Sequence, residues 1–168
     1  MSFKNSFLPY AIKEWNKLDS EIRNAKTYAS FRKMLLNFIR PIGNSTHKIY
    51  DPLGIKLLAR LRLGFSHLSE HKFRHNFADS LNPLCSCSLE TESTLHFFLR
   101  CQNYTALRRA LMTDLKNINN AIMSLNESDL LHVMLYGSKK FDNNMNMSIL
   151  TATIKFVKDT GRFDQPLF

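Results

Sequence analysis

Four residues near the middle of the chain have the types and spacing of a metal-binding site. Cys85, Cys87, His96 and Cys101 comprise all three cysteines and one of the six histidines of this 168-residue protein. They follow the pattern C-x-C-x8-H-x4-C. Three thiolates and one imidazole form a complete tetrahedral ligand set for Zn2+, with no position left open for a substrate. The pattern therefore predicts a structural zinc site, whose biochemistry would be binding or scaffolding.

The spacing within this motif also predicts where its ligands lie. Five residues along an α-helix turn the chain by about 500°, roughly 140° away from the starting face. If His96 is helical, Cys101 must therefore lie just beyond the helix end, where the chain can turn back. The alternative is that three thiols and a histidine are simply buried, since free cysteine often behaves as a small hydrophobe. The residue types and spacing favour the metal.

A second histidine pattern lies upstream of this motif. His67, His71 and His75 recur every four residues, which would place them on one helical face. Neither a thiol nor a well-spaced carboxylate completes a ligand set, and the interleaved Lys72 and Arg74 would repel a cation. The favoured interpretation is a polar, basic face in contact with phosphate.

Motifs for catalysis are absent from the sequence. There is no glycine-rich phosphate loop, no H-E-x-x-H and no G-x-S-x-G. No close pair of acids suggests a general acid and base or a two-metal site. We therefore expect no independent enzymatic activity.

The positive charge of the chain is concentrated in its first half. The formal net charge is +9; residues 1–84 carry 14 Lys and Arg against 6 Asp and Glu, and the remainder carries 9 against 8. Such asymmetry suggests a polyanion, most plausibly RNA or DNA, although a basic surface that faced an acidic neighbouring domain remains an alternative. The candidate nucleic-acid-binding residues flank the cysteine motif: Arg60, Arg62, Lys72, Arg74, Arg100, Arg108 and Arg109.

Two aromatic residues within the basic region allow two interpretations. Phe65 and Phe73 could stack on unpaired bases, or they could belong to the hydrophobic core, which is the commoner role for such residues. Of the neighbouring arginines, Arg60 and Arg62 point to different sides of a helix. We therefore expect one of these two to contact a ligand and the other to pair within the protein.

The remaining sequence predicts an all-α protein. Apolar residues make up 44% of the chain and recur at three- and four-residue steps, without a convincing alternation of period two. No apolar run reaches the length of a membrane span, and the first residues do not resemble a signal peptide, so an intracellular location in cytoplasm or nucleus is expected. We predict a connector formed by a pair of helices over residues 1–40, a linker over 41–52 and a helical domain over 53–168 that carries the zinc motif at 85–101.

The individual helices follow from this periodicity and from capping residues. Thr27 is expected to cap a helix in the connector. Further helices are expected from Leu53, over 67–78, over 91–99 with a cap at Thr91 or Ser93, over 104–118, over 128–136 with Ser128 as cap, and over 149–158. Residues 138–147 are expected to form a loop.

Taken together, these motifs resemble the region that follows the reverse transcriptase in non-LTR (LINE-like) retrotransposon proteins. That region has an R-L-R-x-G run, a C-x-C-G pair, an E-T pair, H-F-L-L and a final cysteine. The matching positions here are Arg60, Leu61, Arg62, Gly64, Cys85, Cys87, Glu92, Ser93, residues 96–99 and Cys101. Flanking segments at both ends are also similar. Ser88 stands where the family has glycine, and Ser93 where it has threonine.

The resemblance implies a Cys-Cys-His-Cys zinc site in an accessory domain that helps to hold template RNA or target DNA. It implies no polymerase activity in this chain, because the F/Y-x-D-D motif and the upstream endonuclease of such proteins are absent. The chain resembles a C-terminal part of such a polyprotein, or a fragment of a decayed element. A structural domain that packs on the polymerase, or otherwise mediates protein contacts, is the alternative.

Overall fold

The computed structural model describes residues 20–27, 29–30, 49, 51–78 and 80–164, and within them the protein is helical with no β-strand. The predicted all-α class is confirmed. The α-helices are α1 (Ser20–Arg23), α2 (Pro52–Arg62), α3 (Ser69–Arg74), α4 (Thr105–Ile118), α5 (Glu127–Tyr136) and α6 (Asn143–Asp159). A π-helical turn (His96–Arg100) and 3-10 turns (Gln102–Tyr104 and Asn120–Ser124) complete the helical elements.

Most of the predicted connector (1–40) and linker (41–52) lies outside the described residues. Within the connector, Ser30 N donates to Thr27 Oγ1 at 3.1 Å, and Thr27 N donates to Ser30 Oγ at 3.2 Å. This reciprocal pair is the geometry of a helix start, as expected for Thr27. No helix in the described part of the chain has the length and apolar character needed to cross a bilayer.

Helix α2 begins and ends at residues suited to these positions. Asp51 Oδ1 accepts a hydrogen bond from Gly54 N at 2.9 Å, and Pro52 occupies the first turn, where its missing N–H costs nothing. Gly64, just past the helix end, has a φ of +64°, in the left-handed region that favours glycine. The Asp51 cap and Gly64 set the two ends of α2 and therefore where the loop to α3 begins.

Helix α6 is the centre of the core, because α2, α4 and α5 all pack against it. At the crossing with α2, a Cβ on Gly54 would clash with Ile154 Cγ2, so the Ile154 side chain packs directly on the α2 backbone only because Gly54 has no side chain. Asp51 at the start of α2 also pairs with Lys158, whose Nζ lies 3.1 Å from its Oδ2.

An aromatic cluster joins the π-helical turn to α6. Phe97 lies 5.0 Å from Phe98, 5.2 Å from Tyr104, 5.5 Å from Phe156 and 5.4 Å from Phe163, measured between ring centroids. Phe97 and Phe98 are fully buried. The segment that carries His96 is therefore anchored on the core through its two neighbouring phenylalanines.

Four predicted helices have other boundaries in the structure. The helix predicted over 91–99 begins only at Thr94, because Thr91 forms a β-bridge with Leu84 instead. Helix α5 begins at Glu127, with Asn126 rather than Ser128 as its cap, because Asn126 Oδ1 accepts from Asp129 N at 2.9 Å. Helix α6 begins at Asn143, so the predicted loop over 138–147 ends five residues early. The helix predicted over 67–78 is limited to Ser69–Arg74, since Asn76 adopts a φ of +56°.

Candidate metal centre

The first two ligands of the predicted site lie in a tight turn. Leu84 forms an isolated antiparallel bridge with Thr91, and Cys85 N donates to Glu90 O at 2.9 Å. Ser88 N donates to Cys85 O at 2.8 Å, which closes a turn over residues 85–88. The turn brings Cys85 and Cys87 to the same side of the chain.

The backbone of this turn also faces the sulfur atoms. The backbone amide of Cys87 acts to lower the pKa of Cys85, and that of Leu89 acts in the same way on Cys87. The Leu89 N–H is the largest cause that lowers the pKa of Cys87, to about 7. Burial raises the pKa of Cys85, because a thiolate without a counter-ion is costly in the interior. A bound divalent cation would reverse that cost.

The other two ligands lie at either end of the π-helical turn. Ser93 Oγ accepts from His96 N at 3.1 Å, which confirms Ser93 as the helix cap that the sequence offered with Thr91 as an alternative. Cys101 N donates to His96 O at 2.8 Å, a bond that spans five residues and widens the turn. Cys101 itself has left the helix, with φ −57° and ψ 125°, as the H-x4-C spacing predicts.

The four side chains meet at one point. Their ligand atoms all lie within 4.8 Å of one another. Cys85 Sγ is 3.6 Å from Cys101 Sγ, and Cys87 Sγ is 3.3 Å from His96 Nε2. Sulfur ligands at about 2.3 Å from a tetrahedral ion stand roughly 3.7 Å apart. The cluster thus has the size and donor set of a four-ligand metal site, and it could hold a metal ion.

This cluster is mostly shielded from solvent. Cys85, His96 and Cys101 are buried, whereas Cys87 is partly exposed. Within the described ranges it is the only group of three or more cysteine, histidine or acidic side chains placed to share one ion. A buried set with four protein ligands has the character of a structural site rather than an open catalytic one.

A carboxylate orients the histidine ring. His96 Nε2 faces the sulfur atoms, while His96 Nδ1 lies 3.3 Å from Glu90 Oε2. Glu90 also lies 3.6 Å from Arg100 Nη1, and Arg100 Nη2 donates to Glu127 Oε2 at 2.6 Å, at the start of α5. A carboxylate on the outer nitrogen fixes the tautomer and leaves the inner nitrogen free to bind an ion. The sequence motif alone did not identify Glu90.

An arginine lies on the other side of the cluster. Arg108 Nη2 donates to Cys101 O at 2.7 Å, while Arg108 Nη1 is buried without a hydrogen-bond partner. Burial lowers the pKa of Arg108, and the adjacent Cys101 acts in the opposite direction. Three thiolates and a bound divalent cation would carry a net charge of −1, and the guanidinium would then have a favourable position beside them.

A buried ion pair ties the loop over residues 85–101, which we call the metal-binding loop for its four candidate ligands, to Arg162 just beyond the end of α6. Glu92 is 1% exposed; its Oε1 accepts from Arg162 Nε and its Oε2 from Arg162 Nη2, each at 2.7 Å. Glu92 Oε2 also accepts from Ser69 N at 2.6 Å and Ser69 Oγ at 2.7 Å. Burial alone would raise the pKa of Glu92, but Arg162 and Ser69 outweigh it and hold the pKa below its usual value.

The histidine pattern at 67, 71 and 75 does not form a phosphate-binding face. His67 and His71 are 5% and 3% exposed, and His75 is half-buried. Ser66 Oγ lies 2.8 Å from His71 Nδ1, and Thr94 Oγ1 lies 3.2 Å from His71 Nε2. The expectation of a basic outer face was wrong, because the metal-binding loop covers this side of α3.

The buried His71 predicts a pH dependence of stability. Burial, followed by Arg74 and His75, lowers the pKa of His71 from 6.5 to about 4, against an opposing effect of Glu92. The unfolded chain therefore takes up a proton first as pH falls. The stabilisation by the neutral ring is complete above pH 6.5 and is lost towards pH 4.

We expect the free energy of unfolding to fall by about 1 kcal/mol from this group between about pH 7.5 and 5.5. Urea unfolding across this range measures the loss. His71→Asn, which cannot titrate, should reduce the slope, whereas His132→Asn, on the exposed side of α5, should not. Equal slopes for wild type and His71→Asn would contradict the assignment.

The turn over residues 85–88, which carries Cys85 and Cys87, predicts a stabilising substitution. Ser88 has a φ of +64°, a left-handed conformation that costs a non-glycine residue about 1 kcal/mol. We expect Ser88→Gly to raise the unfolding free energy of the metal-loaded protein by about 0.5 kcal/mol, after the extra freedom of glycine in the unfolded chain is included.

Chemical unfolding of the two metal-loaded proteins tests this expectation. Asn76→Gly is a matched control, since Asn76 has a φ of +56° but asparagine tolerates that conformation better. Its effect should be smaller than that of Ser88→Gly. A less stable Ser88→Gly protein would show that the serine side chain, not the backbone, matters at this position.

The seven predicted nucleic-acid-binding residues fall into two groups. Arg60, Arg62, Lys72 and Arg74 lie on α2 and α3, and Arg100, Arg108 and Arg109 lie on the π-helical turn and α4. Arg62 Nε donates to Leu135 O at 2.6 Å, so it is the member of the Arg60 and Arg62 pair that binds within the protein. Arg109 is exposed, and its side chain makes no hydrogen bond within the described ranges.

Three other members of the set contact protein groups. Arg74 pairs with Glu70, Arg100 with Glu127, and Arg108 with the Cys101 carbonyl. Exposed pairs such as these contribute little to stability and can exchange partners. Arg74 and Arg100 therefore remain able to meet a phosphate, whereas Arg62 and Arg108 are committed to internal roles.

Phe65 and Phe73, which could have been core residues or stacking surfaces, do not lie in the core. Phe65 is 36% exposed and Phe73 is 46% exposed. The interpretation of these two side chains as core residues was therefore wrong.

Comparison of the chain with known protein families, curated proteins and solved structures yields no match. The similarity to the retrotransposon region stays an expectation from the sequence motifs.

Proposed function

We propose that this chain is a zinc-stapled accessory domain that binds nucleic acid, of the kind that follows the reverse transcriptase in LINE-like retrotransposon proteins. It would help such a protein to hold template RNA or target DNA and would carry out no catalysis itself. The observation that carries the proposal is the convergence of Cys85, Cys87, His96 and Cys101 within 4.8 Å.

The donor set supports zinc as the ion. Thiolate and imidazole ligands suit Zn2+, and three sulfur ligands with one nitrogen are typical of structural zinc sites. A bound zinc ion would supply folding free energy by closing the loop from Cys85 to Cys101. Glu90 would orient His96, and Arg108 would balance the negative charge of the thiolates. The protein groups around the cluster thus fit an anionic metal site.

The charge distribution supports nucleic acid as the partner. Most of the net charge of +9 lies in the first half of the chain. Arg60 and Lys72 are half-buried, and Arg109 is exposed, on the helices that surround the metal-binding loop. Each phosphate contact by such a residue releases counterions and gives binding a measurable salt dependence.

Two measurements on the purified chain test the proposal. Metal analysis should find about one zinc per chain. Binding to labelled RNA and DNA should weaken steeply with salt, with a slope of roughly −0.7 per phosphate contact on a single strand and −0.9 on a duplex. Absence of binding, or binding without a salt slope, would contradict nucleic-acid recognition even if the metal is present.

A second candidate function is supported by exposed leucines on the metal-binding loop and just before it. Leu81, Leu84 and Leu89 are 89%, 51% and 60% exposed. Exposed apolar side chains close together often mark a protein-binding surface. This would suit a domain that packs on a polymerase rather than on nucleic acid. The salt experiment separates the two candidates, because apolar docking depends weakly on salt.

A further inference from the structure

The corner between α2 and α3 combines exposed aromatic rings with positive charge. We define the corner surface as the residues Arg60, Phe65, Lys72, Phe73 and Arg74. The ring of Phe65 lies edge-on to His75 at 5.0 Å and tilted against Phe77 at 5.7 Å, which holds it in place while 36% of the residue stays exposed. Phe73, on the outer side of α3, is 46% exposed.

Of the basic side chains, that of Arg74 lies close to the backbone that carries Phe65, and Arg74 also follows Phe73 in the sequence. Arg74 is packed over Gly64, since a Cβ on that glycine would lie 3.3 Å from Arg74 Nη1. Gly64 directly precedes Phe65, and Phe65 N donates to Arg60 O at 2.9 Å. Glu70 is the one acidic residue of α3 and pairs with Arg74. By formal count, the corner surface carries the three positive charges of Arg60, Lys72 and Arg74 against the one negative charge of Glu70.

We propose that the corner surface binds a single-stranded segment of nucleic acid, with unpaired bases stacked on Phe65 and Phe73 and phosphates near Arg60, Lys72 and Arg74. The proposal rests on the proposed function and adds to it the strandedness of the ligand. Every base has a face that can stack on an aromatic ring, so no sequence preference is required. In a duplex these faces are already covered by neighbouring base pairs, which leaves only phosphate contacts.

The composition of the corner favours nucleic acid over a protein partner. Protein interfaces are also rich in aromatic residues, but lysine is depleted from them and charge is removed from their centre. Here Arg60, Lys72 and Arg74 lie on the two helices that bracket the exposed rings, so a partner at this corner meets positive charge. A polyanion with flat, apolar faces can cover the exposed rings and also meet the positive charge.

The metal-binding loop holds this surface in position. Ser69, at the start of α3, donates twice to Glu92, and His71 on the inner side of α3 contacts Thr94 Oγ1 at 3.2 Å. Glu92 and Thr94 both lie between Cys87 and Cys101. The orientation of α3, and hence of Phe73 and Arg74, therefore depends on the loop that the metal closes.

Fluorescence anisotropy with the metal-loaded full chain tests the proposal. The probes are a labelled oligouridine of about 12 nucleotides and a duplex of matched length, at salt concentrations between about 50 and 200 mM. We expect tighter binding to the single strand. Phe65→Ala and Phe73→Ala should each weaken it about tenfold with an unchanged salt slope, because phosphate contacts remain.

Matched variants separate stacking from charge and from misfolding. Phe73→Tyr should bind as wild type, since the ring is kept. Arg74→Gln should reduce the salt slope by about 0.7. Leu53→Ala removes an equally exposed apolar side chain at the opposite end of α2 and should change nothing. Metal content measured for every variant identifies any protein that has lost its fold.

Three results would overturn the inference. Phe65→Ala and Phe73→Ala proteins that bind the single strand as tightly as wild type would leave nucleic-acid binding intact but exclude this platform, and would favour a protein partner for the corner. Preference for the duplex would exclude single-strand stacking. A wild-type chain that binds neither probe would remove the proposed function together with the inference.

Discussion

Cys101→Ser is expected to abolish stoichiometric metal binding and to lower the free energy of unfolding by at least about 4 kcal/mol. The sulfur of Cys101 is fully buried, 3.6 Å from Cys85 Sγ, and a hydroxyl is a poor ligand in its place. Since small domains have only about 5–15 kcal/mol of total stability, this variant should be largely unfolded at physiological temperature. Cys87→Ala and His96→Ala should act in the same direction.

Metal content by mass spectrometry and urea unfolding by circular dichroism measure these effects together. Ser86→Ala is the control, because Ser86 lies between two ligands but contributes none and is exposed. It should retain the metal. A strong chelator should lower the stability of wild type to that of Cys101→Ser and leave the variant itself unchanged. A Cys101→Ser protein with full metal content would contradict the four-ligand site.

Glu92→Ala is expected to cost about 3 kcal/mol without removing any metal ligand. The substitution leaves Arg162 and Ser69 without the carboxylate that accepts four of their hydrogen bonds. The loss of one partner of a buried pair typically costs 3–5 kcal/mol, and we expect a value at the lower end of about 3 kcal/mol because Arg162 is 28% exposed. Thermal unfolding of the metal-loaded protein measures the change.

A double-mutant cycle with Arg162→Met separates the pair from the rest of the site. If the two residues act through each other, the double variant should be less destabilised than the sum of the single ones. The depressed pKa of Glu92 adds a check. The ionised carboxylate stabilises the fold above pH 4.5, and this contribution to the free energy of unfolding is lost as pH falls through the folded pKa. Glu92→Gln should remove this pH dependence. Strictly additive single effects would contradict the coupling.

The cluster of three cysteines and one histidine could be predicted from the sequence because its geometry is local. All four ligands lie between residues 85 and 101, so a turn at Cys85 and Cys87 and a helix at His96 are enough to bring them together. The position of Cys101 beyond the helix follows from the H-x4-C spacing alone. The π-helical form of that turn does not, since it depends on how Phe97 and Phe98 pack on α6.

Contacts between distant segments could not be predicted in the same way. Periodicity identifies which helix face is buried, but it does not say which residue covers that face. His71 was interpreted as part of an outer face because Lys72 and Arg74 lie beside it, yet Ser66 and Thr94 enclose it. Neither residue stands out in the sequence as a partner for a histidine.

The start of α6 illustrates a second limit. Residues 143–147 include three asparagines and were expected to form a loop, but Asp142 caps a helix there by accepting from Met145 N at 2.8 Å. Asn146 is fully buried and bonds both Ser138 and the Phe141 carbonyl. The sequence does not distinguish an asparagine in a helix that hydrogen-bonds a neighbouring loop from an asparagine within a loop.

The order of contacts along the chain has a consequence for biosynthesis. Lys158 reaches back 107 residues to Asp51, and Arg162 reaches back 70 residues to Glu92. Such long-range closures slow folding, because the intervening chain must be ordered before the contacts form. The nascent polypeptide therefore completes its core only after α6 has emerged from the ribosome. Until then, Glu92 in the metal-binding loop lacks its partner Arg162.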